Sequence, residues 1–324
     1  MAPSTFRALS APLVLAGAFA LGCGGRPFSE GGSREVAVVT TLPEDSPEVL
    51  LLRAIVEREA IRIENEAAYQ TRLASPEDSR VYRARTVLFM GYGPRERIPR
   101  PLHALAETLG GSRDPFVFSR DLWLRGQAVG LLWTESREDL MSALTLRQNR
   151  LFQLLDRATF ATVRERLLAL PRDSRAERRL KRSVGYTLRV PRGYEVRIDP
   201  RFRAALLLNE GPPTRLLRIQ PADSPAGSDL SRARTKLARM FRPNERTLDL
   251  VEPMLAPDEF AGSMREIHGR WEDAAVSAAG PYRFYEVARA DRRFYVDLAV
   301  FAPGHPKLPY LRELQSIAET LTTR

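Results

Sequence analysis

The sequence is poor in several residue types on which common chemistries depend. Cysteine occurs once, at Cys23, which excludes an internal disulfide and a zinc site built on several thiolates. Histidine occurs at His103, His268 and His305, and no two of these have the i, i+4 spacing of a metal-binding helix. Gly91-Tyr92-Gly93 lacks the third glycine of a dinucleotide-binding turn, and there is no Gly-rich loop followed by Lys-Ser or Lys-Thr. A Gly-x-Ser-x-Gly elbow is missing as well, which removes the sequence support for the common esterase geometry. No catalytic residue, metal ligand or cofactor is assigned on these grounds. Lysine is restricted to Lys181, Lys236 and Lys307, so the net charge of +10 is carried almost wholly by arginine. Arginine keeps its charge at any working pH and bridges carboxylates or phosphates in a forked geometry. A G+C-rich genome also favours arginine codons, so the bias alone does not select nucleic acid as partner.

The chain has 324 residues, of which 44% are hydrophobic and 28% charged, enough apolar material for one large or two modest folded units. Its first residues have the layout of an export signal. Arg7 precedes an apolar run from Leu9 to Leu21, shorter than the roughly 20 residues of a spanning helix. Gly22 supplies the small residue before Cys23. Residues 24–33 read G-G-R-P-F-S-E-G-G-S, the composition of a flexible tether. The expected organisation is a signal peptide over 1–22, a tether over 23–33, and two folded halves over 34–182 and 183–324.

Periodicity places strands over residues 34–41 and 86–92, a helix over 47–63, a helix over 100–109, and strands over 116–118 and 122–134. A long leucine-spaced helix starts at Ser136, whose spacing to Asp139 suits a capping box, and continues with a break at Pro171 to about Arg182. The second half reads as a strand over 186–190, a hairpin of 203–208 with 214–220, a helix over 228–241, strands over 267–271, 282–288 and 294–301, and a closing helix over 309–321. Both halves end with strands followed by a long helix, a rhythm that an ancient duplication would leave. The expected class is α+β, with two consecutive halves, each a mainly antiparallel sheet packed with helices.

Two surfaces stand out as candidate binding sites. The window 164–182 is the most basic in the chain, and Arg178, Arg179 and Arg182 within it suit phosphates or lipid headgroups as well as they suit a solvated helix face. Trp123, Trp271, Tyr282 and Tyr285 lie on expected strands, where an exposed aromatic row would bind a partner and a covered one would form core. The dense carboxylates Glu57, Glu59, Glu64 and Glu66 alternate with Arg53, Arg58 and Arg62, as on a salt-laced surface.

The segment Ala20-Leu21-Gly22-Cys23 resembles the lipobox of bacterial lipoproteins, with the first two residues in swapped order. That resemblance implies cleavage after Gly22, a diacylglycerol on the Cys23 sulfur and an acylated, palmitate-type amino end. It further implies a membrane-anchored cell-envelope protein. Asp is absent at position 24 and no acidic run follows Cys23, which favours an outer-membrane lipoprotein facing the periplasm. The patches D-L-W-L-R-G-Q at 121–127, V-P-R-G-Y at 190–194, G-R-W-E at 269–272, G-P-Y at 280–282 and F-A-P-G-H-P-K at 301–307 resemble domain-of-unknown-function family 4837, uncharacterised lipoproteins of Bacteroidetes and relatives. The resemblance implies no activity. The second half more loosely resembles the PsbP-like and Mog1-like sandwiches, which open on an x-P-x-G-Y turn and close with a helix on the sheet. The expected function is therefore a non-catalytic binding or assembly module in the cell envelope, held to the membrane through Cys23, with an envelope protein, lipid or glycan as partner. An extracytoplasmic hydrolase of cell-wall or lipid material is the alternative. Export disfavours nucleic acid.

Overall fold

The computed structural model describes residues 26–61, 65–110, 114–222, 229–251 and 263–323. The signal segment and Cys23 lie outside them. The first half runs β1 (Glu35–Val39), α1 (Pro47–Val56), a short ribbon of β2 (Glu59–Ile61) and β3 (Glu66–Ala67), β4 (Gln70–Ala74), β5 (Thr86–Tyr92), α2 (His103–Leu109), β6 (Phe116–Arg120), β7 (Ala128–Thr134), α3 (Arg137–Leu146) and α4 (Gln148–Ala169). The second half runs α5 (Ser174–Val184), β8 (Glu195–Asp199), β9 (Ala204–Asn209), β10 (Thr214–Pro221), α6 (Leu230–Phe241), β11 (Glu245–Val251), β12 (Ser263–Asp273), β13 (Ala278–Arg289), β14 (Arg292–Phe301) and α7 (Leu308–Ala318).

The α+β class holds. The second sheet, ordered β11-β12-β13-β14-β10-β9-β8, is antiparallel at every pairing. The first sheet departs from the antiparallel expectation. Its order is β4-β1-β5-β7-β6, and only the β6–β7 pair is antiparallel; β1–β4, β1–β5 and β5–β7 are parallel. Parallel neighbours are joined by crossover segments rather than tight turns, and α1 lies in such a crossover between β1 and β4; both faces of the sheet are covered, as parallel pairing requires. Along β1, Val36 and Val38 face one core while Ala37 and Val39 face another, and β5 divides Leu88 and Met90 from Val87 and Phe89 in the same way. The differing strand directions of the two sheets carry no trace of the repeated rhythm.

Five layers result. Helix α2 covers the outer face of the first sheet, and α6 covers the outer face of the second. Between the sheets lie α1, α3, α4, α5 and α7, in one continuous apolar core running from Val36 to Leu321. Helix α5, expected in the first half, packs on β8 and β9, so it belongs in space to the second sheet.

Polar contacts join the two halves. Glu66 of β3 accepts the backbone N–H groups of Lys307 at 2.8 Å and Leu308 at 3.1 Å, and Arg34 lies 3.3 Å from the same carboxylate. Asp156 of α4 bonds the buried Arg312 of α7 and accepts the Tyr69 hydroxyl at 2.7 Å.

Other expectations need adjusting. Helix α1 ends at Val56 rather than near residue 63, because the chain turns into the β2–β3 ribbon. Residues 121–127 form a loop rather than the start of β7, with positive φ at Asp121 and Gly126. Residues 186–190 join a partner through a single bridge, Thr187 to Thr322. Ser136 caps α3, its hydroxyl accepting the Asp139 N–H at 3.1 Å and donating to the Asp139 carboxylate at 2.7 Å, in place of the backbone return bond of a full capping box.

The tether expectation fails from Pro27 onward. Pro27 accepts the Arg125 N–H at 3.0 Å, Ser29 donates to the Arg125 carbonyl at 3.0 Å, and Glu30 bonds Arg83 and Arg85 through its backbone, each at 2.7 Å. Ser29 is buried and donates its hydroxyl to Gly126 O at 2.6 Å. A Gly/Ser-rich composition leaves backbone groups open to pairing, and here the rim of the first sheet pairs them.

Candidate binding surfaces

The aromatic surface does not form. Trp271, Tyr282 and Tyr285 are each at most 1% exposed. Trp271 and Tyr282 point to the α6 layer and Tyr285 to the central layer, because both faces of the second sheet are covered. Burial pushes the Tyr282 phenol up to about 12. Trp123 is half-buried in an edge-on contact with Tyr82 at 4.8 Å and Phe89 at 6.0 Å, so it packs on the first sheet. Nor do the carboxylates near Glu57 form a solvated stripe. Glu66 caps α7, and Glu57 accepts the Thr71 N–H at 2.8 Å; Glu64 lies outside the described residues.

The arginines of α5 are placed as a surface. Arg178, Arg179 and Arg182 are all exposed, while Leu180 and Val184 of the same helix are buried. Asp173 caps the helix by accepting the Arg175 and Ala176 N–H groups at 3.0 and 2.9 Å. The V-P-R-G-Y turn fixes where the helix lies. The Val190 carbonyl accepts the Asp173 N–H at 2.7 Å, the Val190 N–H donates to Glu177 at 3.1 Å, and Arg192 donates to Pro171 O at 3.0 Å. Gly193 takes φ +91°, a region open to glycine, and turns the chain into β8. Tyr194 beyond it is buried and donates its hydroxyl to Glu313 at 2.8 Å; that burial raises its pKa strongly.

Strand β8 ends the second sheet, and a cleft of about 790 Å³ runs between it and α5. Val196, Ile198 and Ala176 give the cleft an apolar floor, with Arg175, Arg179 and Arg197 around it. Arg179 donates to the Val196 carbonyl at 3.4 Å. That carbonyl therefore points away from β9, and in an antiparallel strand the N–H of the same residue and both groups two residues on point the same way. Val196 and Ile198 thus turn their backbone polar groups to the cleft. Glu195 and Arg197 pair with each other at 2.8 Å.

A second cleft, of about 630 Å³, opens beyond the carboxyl ends of β5 and β7. Trp133 lines it and donates its indole N–H to Gly93 O at 3.0 Å. Glu96, Asp114 and Glu135 also line it, with Asp114 held by Arg147 and Arg150. Elsewhere, His268 Nε2 stands 3.7 Å from Glu266 on β12. Among the described residues no three His, Cys, Asp or Glu side chains gather as a metal would require.

Most of the shared motif patches are framework. Gln127 donates to Tyr82 O and Ala84 O at 3.0 and 2.8 Å. A Cβ on Gly280 would collide with the Val300 carbonyl. Lys307 at the end of F-A-P-G-H-P-K meets Glu66 through its backbone. Two features had no signal in the sequence: the free edge of β8, and the clustering of Arg85 with Arg166 beside Phe28.

No curated protein matches the chain. Solved structures resemble it only distantly. The Saccharomyces cerevisiae Ran-binding protein Mog1p aligns at 12% identity over 43% of this chain and 90% of its own, with a TM-score of 0.27. A Bacteroides thetaiotaomicron protein aligns at 9% identity over 43% of this chain and 45% of its own, with a TM-score of 0.23. Residues 243–320 match the family model of a domain of unknown function, DUF4837, and that span contains the G-R-W-E, G-P-Y and F-A-P-G-H-P-K patches. The similarity covers residues 243–320, and the family matched there is the one that the motif patches resemble.

Proposed function

We propose that the protein is a lipid-anchored binding module of the cell envelope, which takes an extended acidic segment of a partner protein into the cleft between α5 and β8. One observation carries this reading: the V-P-R-G-Y turn sets a basic helix beside an edge strand whose outward backbone groups line the same cleft. Edge strands accept an added strand through main-chain hydrogen bonds, and flanking side chains select the sequence. Here guanidinium groups at Arg175 and Arg179 select carboxylates, and the apolar floor takes alternate side chains. The cell-envelope setting rests on the lipobox-like Ala20–Cys23 segment and is part of the proposal.

The test is an apolar photo-crosslinking amino acid in place of Ile198 on the cleft floor in the full chain, expressed with its own signal, and a control probe at exposed Arg246. Adducts from position 198 that an acidic extended peptide competes away, and that Arg175→Glu abolishes, support the reading. Equal adducts from both positions refute it. Intact mass of the purified protein reports separately whether Cys23 carries lipid.

The cleft at the carboxyl ends of β5 and β7 supports the hydrolase alternative, since ligands of parallel sheets bind beyond that end and three carboxylates stand there. Turnover of acyl-ester or glycan substrates that Glu135→Gln abolishes, with Arg175→Glu unchanged, would replace the binding reading with this one.

A further inference from the structure

The seated segment Pro27–Glu30 brings together two guanidinium groups, Arg85 and Arg166, to which no described carboxylate is bonded, although the charge of Glu165 bears on Arg166. Arg166 spends its hydrogen bonds on the Ser29 carbonyl and hydroxyl, both neutral oxygens. Arg85 is half-buried and makes no side-chain hydrogen bond or ion pair among the described residues; its Nε is enclosed, as is that of Arg166. Burial pulls the Arg85 pKa down to about 10, and the like charge of Arg166 pulls in the same direction. The neighbouring carboxylates are engaged elsewhere: Glu165 by Arg120 and Arg125 at 3.1 and 2.8 Å, and Glu30 by Arg83 at 3.4 Å. Phe28, 40% exposed, has the Arg125 and Arg166 guanidinium groups over its ring, 4.8 and 5.1 Å from the centroid. Two close cations, partly desolvated and with no carboxylate bonded to either, are destabilising unless an anion completes them.

We infer that Arg85 and Arg166, with Phe28 beside them, form a site for the phosphate diester of an anionic lipid headgroup. Position argues for a lipid as the source of the phosphate. Cys23 is four residues before Pro27, at most about 14 Å of extended chain. With the sulfur acylated, as the proposed function holds, this rim of the first sheet lies at headgroup level, with Phe28 facing the interface. Forked guanidinium groups match phosphate oxygens, and a juxtamembrane arginine cluster gains further from the negative surface potential.

The experiment uses the full chain in a neutral detergent, titrated with dihexanoyl phosphatidylglycerol, dihexanoyl phosphatidylcholine and inorganic phosphate, with affinity and thermal midpoint read together. The wild type is expected to bind the phosphatidylglycerol analogue more tightly than the other two and to gain thermal midpoint on binding. Arg85→Gln, which breaks no side-chain hydrogen bond or ion pair among the described residues, is expected to raise the midpoint without ligand and to weaken binding about tenfold or more. Arg166→Gln is expected to weaken it similarly. Tighter binding of inorganic phosphate than of the diester would overturn the lipid assignment. Comparable affinity for the phosphatidylcholine analogue would overturn the anionic selectivity, and full affinity in Arg85→Gln would overturn the site. The mass of Cys23 separates the two proposals: a bare thiol with binding retained removes the anchor and leaves the site, whereas lipidated Cys23 with no binding removes the site alone.

Discussion

Glu66 caps the first turn of a helix that begins 242 residues later in the chain, accepting the backbone N–H groups of Lys307 and Leu308. Its carboxylate also faces Arg34. Glu66→Ala removes a cap and leaves a nearly buried arginine without that partner, so the expected cost is about 2 kcal/mol. Urea unfolding checks it: the midpoint should fall with the slope unchanged, since both halves share one core.

Arg218, Arg234, Glu245 and Asp297 are all fully buried and balance two positive against two negative charges. Arg234 reaches Glu245 at 2.6 Å and Asp297 at 3.3 Å, while Arg218 bonds both carboxylates. Asp297→Ala leaves one buried cation uncompensated and is expected to cost about 3–5 kcal/mol. Replacing all four by apolar residues of similar volume is expected to cost far less. Denaturant curves of the two variants decide the point.

The Arg137 guanidinium, hydrogen-bonded to Glu48 at 2.5 Å, holds that carboxyl below the usual carboxylate range. A depressed native pKa stabilises the fold above the unfolded value, near 4.5 here, and the stabilisation is lost as pH falls through the native value. Thermal midpoints measured from neutral pH downward should fall more steeply below about 4.5 for the wild type than for Glu48→Gln.

Gly280 lies where a Cβ would strike the backbone carbonyl of Val300. Backbone cannot step aside as a flexible side chain can, so Gly280→Ala is expected to destabilise by about 1–3 kcal/mol or more. Near-ultraviolet circular dichroism reports it independently, because Trp271 Nε1 would be 3.5 Å from the new atom.

On α5, Arg178→Glu and Arg182→Glu change an exposed face and are expected to leave stability within about 0.5 kcal/mol. A loss of several kcal/mol in thermal denaturation would mean that this face is framework rather than free surface.

Local signals in the sequence marked the hairpin of β9 with β10, that of β13 with β14, and helices α5 to α7, because turn residues and 3.6-residue spacing act over a few positions; α3 and α4 read as one helix, and the interruption at Arg147 was not visible. Burial of β1 and β5 on both faces was written there too, in the unbroken apolar runs V-A-V-V and V-L-F-M, whereas pairing direction was not, since antiparallel β9 carries the run A-A-L-L-L. The fate of the aromatics was not. Alternation divides Tyr282 and Phe284 from Tyr285, but it cannot tell that α6 will cover one face and α7 the other. Of the candidate site, the arginines of α5 were legible as a basic window. Arg166 meeting Ser29 was not, because the contact spans 137 residues.

The shared central layer has a consequence for synthesis. Tyr69 and Asp156 find Arg312, and Glu66 finds its helix, only when α7 is present. A nascent chain that has delivered the first sheet still exposes the face that α7 closes. Each molecule therefore stays incomplete until α7 has emerged, and a chain cut short before that helix keeps an open apolar seam for quality-control proteases to recognise.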